Sequence, residues 1–200
     1  MLAPALVASA SAHGAPVPTH VVASVTPFTA DGKLRPGLHV VRRARGTCEP
    51  GSDVLPNDVY RCGFDNFVID PCWRDHRSGT PVVVCLTEPW GKSVVRLALT
   101  AAPERSVGGS DPKAEPWGIE LESGARCIAL QGAHETVSGK GAGPTINYSC
   151  SNDLVLVSGV DRSRPLWTIR AARGSSGATP YTITGRVAIK TAWFGGNDPR

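Results

Sequence analysis

Methionine occurs once in these 200 residues, and helical rhythm is missing as well. No stretch carries apolar residues at i, i+3, i+4 and i+7 through three turns, which excludes helices as the main building element. No C-x-x-C pair occurs, so the regular ligand spacing of zinc sites is absent. No later apolar run approaches the roughly 20 residues that a membrane-spanning helix needs. The surplus of charge is also small. Lys and Arg number 21 against 17 Asp and Glu, a formal +4, far from the basic footprint of a nucleic-acid binder. No nucleic-acid partner and no membrane span are expected.

Catalytic signatures are equally scarce. The nucleophile elbow G-x-S-x-G does not occur, and Gly174-Ser175-Ser176-Gly177 has the wrong spacing. Gly139-Lys140-Gly141-Ala142-Gly143 fits neither a P-loop nor a Rossmann fingerprint and reads as a hairpin tip. His39 and His134 have strand-like flanks, and either would need the fold to bring it a Ser and an Asp. Cys72, Asp75 and His76 lie close together, but Cys72 is better read as half of a disulfide. His134-Glu135 lacks the second histidine of a zincin. Glu120 and Glu122 flank Leu121, and both are expected to face solvent instead of forming a glycosidase pair. No catalytic residue, metal or cofactor is assigned.

What is present points to strands. Gly (22) and Pro (17) are abundant, and runs of Val, Ile and Thr recur, a mixture that favours short strands and tight turns. Six cysteines, an even number, imply disulfides and an oxidising compartment. The opening M-L-A-P-A-L-V-A-S-A-S-A is a short apolar run ending in small residues, like the tail of a secretory signal cut near Ala12 to Ala15. The expectation is a secreted protein, extracellular or associated with the cell wall.

The organisation follows the punctuation. Residues 1–15 read as the signal remnant, and 16–36 as a loose leader with one candidate strand at 20–25. Residues 37–100 form a four-cysteine β half, with strands expected at 38–43, 59–61, 67–69, 81–86 and 93–100. The run at 81–86 is continuously apolar and reads as a buried strand. Residues 101–116 hold Pro103, Gly108, Gly109 and Pro112 and read as a linker. Residues 117–195 form a two-cysteine half that begins with a hairpin turning at Ser123-Gly124. The fold class is therefore all-β, a disulfide-stapled sandwich or barrel of two packed halves with almost no helix.

Six cysteines allow 15 pairings. The preferred set is local: Cys127 with Cys150, alone in their half, then Cys48 with Cys62 and Cys72 with Cys85. Cys48–Cys72 with Cys62–Cys85 remains the competing arrangement.

Two basic clusters are the feature that gives a functional direction. Lys33, Arg35, Arg42, Arg43 and Arg45 occur without an intervening acid; Arg162, Arg164, Arg170 and Arg173 follow later, offset by Asp161. Brought together, Arg42, Arg43, Arg45, Arg162, Arg164 and Arg170 would hold an anionic wall polymer or phospholipid headgroups. The five tryptophans read either as an exposed carbohydrate platform or as core, and their apolar, Cys and Pro neighbours favour core.

The ordered motifs resemble a family of exported six-cysteine proteins of actinobacteria. They are G-T-C-E-P-G-S at 46–52, Y-R-C at 60–62, D-P-C-W at 70–73, V-C-L-T-E-P-W at 84–90, W-G-I-E-L-E-S-G-A-R-C at 117–127, Y-S-C at 148–150, P-L-W at 165–167 and A-W-F at 192–194. Glu49 departs from the pattern, which has an aromatic after the first cysteine. The resemblance implies export and a stapled β architecture, and carries no activity or catalytic residue with it. The first reading is a non-enzymatic extracytoplasmic domain that binds a wall or surface component through the basic clusters or exposed aromatics, an anionic wall polymer being one such partner. The alternatives are a hydrolase of wall glycan or peptide, and a structural envelope protein that pairs with another envelope protein.

Overall fold

A computed structural model describes residues 15–52, 55–104, 115–131, 134–138, 143–174 and 181–196. The expected signal remnant and the middle of the expected linker lie outside them, as does most of the glycine-rich tip at 139–143. Twelve strands form, with no helix among the described residues: β1 (His20–Val25), β2 (His39–Ser52), β3 (Leu55–Phe64), β4 (Phe67–Arg74), β5 (Val82–Leu86), β6 (Ser93–Leu99), β7 (Gly118–Leu121), β8 (Arg126–Ala129), β9 (Ile146–Cys150), β10 (Leu154–Asp161), β11 (Thr168–Arg173) and β12 (Thr182–Gly195).

β2 to β6 follow one another as an antiparallel meander. Five is odd, so the first and last strands run the same way, and the sheet closes through a parallel ladder between β2 and β6. β7 to β12 make a second meander of six strands, and its closing ladder, β12 to β7, is antiparallel. The all-β expectation thus resolves into two small closed barrels. Closure pairs edges that an open sheet would leave exposed.

Strand periodicity divides the apolar residues between two jobs. Tyr60, Cys62, Phe64, Cys72, Val83, Cys85, Val95 and Leu97 turn inward and fill the first barrel. Val59, Trp73, Val84, Leu86 and Val94 turn outward and are buried with the interior of the second barrel, including Trp117, Ile119, Leu156 and Ile189. β5 is buried at every position, because one face lines the barrel and the other the junction. That double burial produces its unbroken apolar run.

The junction explains two of the motifs. The Trp73 and Trp117 rings meet edge to face with centroids 6.1 Å apart. The indole N–H of Trp73 donates to the Gly196 carbonyl at 2.8 Å. A Cβ on Gly118 would stand 2.5 Å from Cγ of Pro89 and 2.7 Å from the Trp90 ring. The P-W step of the first half therefore presses on the W-G step of the second, at a place where only glycine fits.

Residues 16–36 are not the loose leader that their composition suggests. β1 runs parallel to the end of β12, and Val25 and Phe28 are buried in the junction core. Thr19 is buried too: its hydroxyl donates to the Ile189 carbonyl at 2.7 Å and accepts the Trp167 N–H at 2.8 Å. The reason is the length of β12. β11 pairs with β12 as far as Ala188, and β1 supplies backbone partners from Thr191 onward. β2 likewise outruns the strand expected at 38–43. Ladders to β6 on one edge and β3 on the other carry it through Gly46 and Pro50 to Ser52.

The disulfides are the local set: Cys48–Cys62, Cys72–Cys85 and Cys127–Cys150, with no free cysteine. Each joins residues directly opposed on neighbouring antiparallel strands. The sulfurs of Cys62, Cys72 and Cys85 lie within 4.8 Å of one another because two bridges stack inside the first barrel. Three disulfides suit an oxidising, non-cytoplasmic compartment. Among the described residues no helix is long and apolar enough to cross a membrane.

Two stability outcomes follow from these contacts. Replacing Cys127 and Cys150 together by Ser opens a loop spanning 23 residues and should lower the unfolding free energy in guanidinium by about 3 kcal/mol; an unchanged midpoint would contradict the bridge. Gly118→Ala forces a Cβ into Pro89 and should cost about 1–3 kcal/mol, read as a lower Tm. A Tm equal to wild type would show that the two steps do not touch.

Candidate functional site

The first basic cluster is split by strand geometry. On β2, Ala44, Gly46 and Cys48 are half-buried, and Arg43, Arg45 and Thr47 alternate with them as exposed residues. Arg42 shares the phase of Ala44, Gly46 and Cys48 by strand alternation, and the register shift between Val40 and Arg42 turns Val40 to the other side. Its guanidinium lies 4.8 Å from the centroid of Phe64 and 5.6 Å from that of Phe67, and it donates to Asp65 at 2.6 Å. Arg42 is thereby held by these neighbours, although its side chain remains 46% exposed. Arg43 and Arg45 are exposed and form no ion pair with any described residue. The parallel ladder sets Arg43 beside Arg96 of β6 and Arg45 beside Ala98.

The second cluster lies on the other barrel, and of its four arginines only Arg162 has an ion-pair partner among the described residues. The Arg162 guanidinium sits 5.0 Å from the Trp167 ring and 5.3 Å from the Phe194 ring, with the Glu115 carboxylate 4.0 Å away. Asp161 binds Arg186 at 2.9 Å. Its carboxyl is held below the ordinary range by hydrogen bonds from Ser163, with Arg186 and Arg164 adding to the effect. Arg170 lies opposite Arg186 on β12, and Arg164 is exposed. The two clusters do not share one ladder or one barrel.

Beside Arg43, a groove of about 270 Å³ opens over the outer wall of the first barrel. Its apolar walls are Phe28, Leu34, Val40 and Val84, and its polar rim is Lys33, Asp75, Arg77 and Arg96. The turn at 28–34 is pinned by a bridge between Phe28 and Leu34 and by the Thr29 N–H to Lys33 carbonyl bond of 2.8 Å. Lys33 pairs with Asp31 at 2.6 Å. That contact, with a further hydrogen bond from Thr29, holds the Asp31 carboxyl down to about 2. Arg96 reaches Asp75 at 3.1 Å. Asp75 also accepts the backbone N–H of Arg77 at 3.1 Å. The side chain of Arg77 itself forms no ion pair or hydrogen bond with a described residue. Its stem lies 3.6 Å from where a Gly32 Cβ would be, an ordinary packing contact, and the φ of 74° at Gly32 is what favours glycine in this turn.

The other candidates from the sequence are occupied elsewhere. Cys72 is bridged, and Asp75 serves Arg96 and Arg77. The ring of His134 meets the Ile146 carbonyl at 3.0 Å, and His39 is exposed on β2. Glu120 does not face open solvent as expected: it takes Lys190 at 2.7 Å and Arg126 at 3.6 Å. Trp73 and Trp117 are core residues. Trp90 and Trp193 pair at 5.1 Å, so the tryptophans make no exposed row. Arg77 and Arg96 escaped the sequence reading, although Arg96 had a signal as the one charge in the apolar run at 93–100.

One titration outcome follows from the second cluster. Burial, outweighing the Val160 N–H and Arg162, raises the Glu115 carboxyl above its ordinary value on folding. The folded state then holds the proton more tightly than the unfolded chain. Its contribution to stability is complete below the unfolded pKa and is lost as pH rises through the folded one. Glu115→Gln keeps an acceptor for Val160 and removes the ionisation. At about pH 7 its Tm should exceed that of wild type, and the gap should close near pH 4, below the ordinary range. A gap that widens in acid would reverse the sign.

No protein-family model, curated protein or solved structure matches the chain.

Proposed function

We propose that this is a non-enzymatic extracytoplasmic binding module, secreted and associated with the cell wall, that holds an anionic wall or surface polymer against the outer face of its first barrel. The observation that carries the reading is the pair Arg43 and Arg45, exposed and without ion-pair partners among the described residues, beside a groove rimmed by Lys33, Arg77 and Arg96. Cations fixed along a strand of a closed, disulfide-braced barrel present a preorganised row of charge to a repeating polyanion. The three bridges support a location outside the cytoplasm. The motif order from Gly46 to Phe194 supports kinship with the exported actinobacterial family.

The test is co-sedimentation of the purified protein with actinobacterial cell walls. The protein should pellet at low salt and be released as salt rises to roughly physiological strength and beyond, where the Debye length drops below 10 Å. Charge reversal at Arg43 and Arg45 together should weaken pelleting about tenfold or more, and reversal at Arg164 should leave it within about twofold. Pelleting that ignores both salt and Arg43/Arg45, or binding to anionic lipid vesicles with none to walls, would overturn the reading.

A further inference from the structure

The groove has a chemistry narrower than general attraction to polyanions. We infer that it seats one monoanionic unit carried on a compact apolar body, such as a carboxylate or a phosphodiester on a ring or short chain; this deepens the binding reading above and rests on it. Three observations lead there.

The first is the charge count. Lys33, Arg77 and Arg96 line the groove with Asp75, and two of these cations are already paired, Arg96 with Asp75 and Lys33 with the neighbouring Asp31. Among the lining residues one positive charge remains without a partner among the described residues, that of Arg77, so a single negative charge completes the balance inside the groove. A dianion would set its second charge against Asp75, whose side chain is only 16% exposed and lies on the same rim.

The second is how Arg77 is held. Its backbone N–H is fixed by Asp75, and its stem lies over the bare backbone of Gly32, a residue with φ of 74°. The guanidinium is thus placed at the rim with no hydrogen bond to a described residue, and its planar fork suits a two-oxygen anion.

The third is the floor. Phe28 and Val84 are almost fully buried, and Leu34 and Val40 are partly open. Four apolar side chains beneath one free cation accept a body with an apolar face. The volume of about 270 Å³ corresponds to about nine waters at roughly 30 Å³ each, the size of a single sugar-like or acyl unit. One such unit of a longer chain would occupy the groove while its neighbours pass along Arg43 and Arg45.

The experiment is a titration of the isotopically labelled, disulfide-intact protein, followed by the methyl signals of Leu34, Val40 and Val84. The probes are cyclohexanecarboxylate, dibutyl phosphate, cyclohexanol and phenyl phosphate. Saturable shifts confined to the groove are expected for the carboxylate, the phosphodiester or both, and the stronger of the two identifies the source of the anion. Cyclohexanol and the phosphate monoester at a pH where it is dianionic should bind at least about tenfold more weakly. Arg77→Ala, at an exposed position, should weaken the best probe about tenfold, and Val40→Phe should block the groove. Co-sedimentation with walls is read on the same preparations, so the two claims fail separately. Wall binding without groove shifts overturns this inference alone; groove shifts without wall binding overturn the polymer reading alone. Equal binding by the Arg77→Ala variant, or a preference for the dianion, overturns the inference outright.

Discussion

The parallel ladder between β2 and β6 is the constraint on which the rest depends. A meander of five strands can close only if its first and last strands run in the same direction, and here they do so over His39 to Gly46 and Ser93 to Leu99. Closure gives the first barrel an inside, where two disulfides and Tyr60, Phe64 and Leu97 pack. It gives the barrel an outside as well, and the strands divide that outside in two. One part, centred on Trp73, Val84 and Val94, is buried with the second barrel. The other keeps Arg43, Arg45 and Arg96 at the surface on adjoining strands.

The second barrel contributes to that surface indirectly. Its long last strand holds β1 in place, and the chain leaving β1 buries Phe28 before turning back through Gly32 and Lys33. That turn forms one wall of the groove, and the turn after β4, with Asp75 and Arg77, forms another part of the rim. The segment that looked like a leader is therefore part of both the core and the candidate site. Stability and function share these residues, since loss of β1 from β12 would remove Phe28, Lys33 and Leu34 from the groove together.

The sequence was informative wherever the physics is local. Alternation at 117–121, the turn at Ser123-Gly124 and the apolar run at 81–86 all correspond to strands or turns whose cause lies within a few residues. The disulfides also connect near neighbours, and each pair faces across a single ladder. What could not be read is whatever depends on closure. Arg42 and Arg43 are adjacent and chemically alike, yet only Arg42 finds the Phe64 and Phe67 rings and Asp65, which closure of the sheet brings from β3, β4 and the turn between them. Arg96 meets Arg43 across a separation of more than 50 residues in sequence, and no local pattern encodes that meeting. β1 joins β12 across an even larger separation. The proline and alanine around it carry no trace of the partner.

The measurement that tests the account most directly is a map of where a soluble anionic wall fragment touches the protein, taken from backbone amide signals across both barrels. The account predicts perturbation of Arg43, Arg45, Arg77 and Arg96, on the outer wall made by the β2–β6 ladder and its groove, with Arg164 and Arg170 of the second barrel unmoved. Perturbation centred on Arg164 and Arg170, with the first barrel silent, would contradict it.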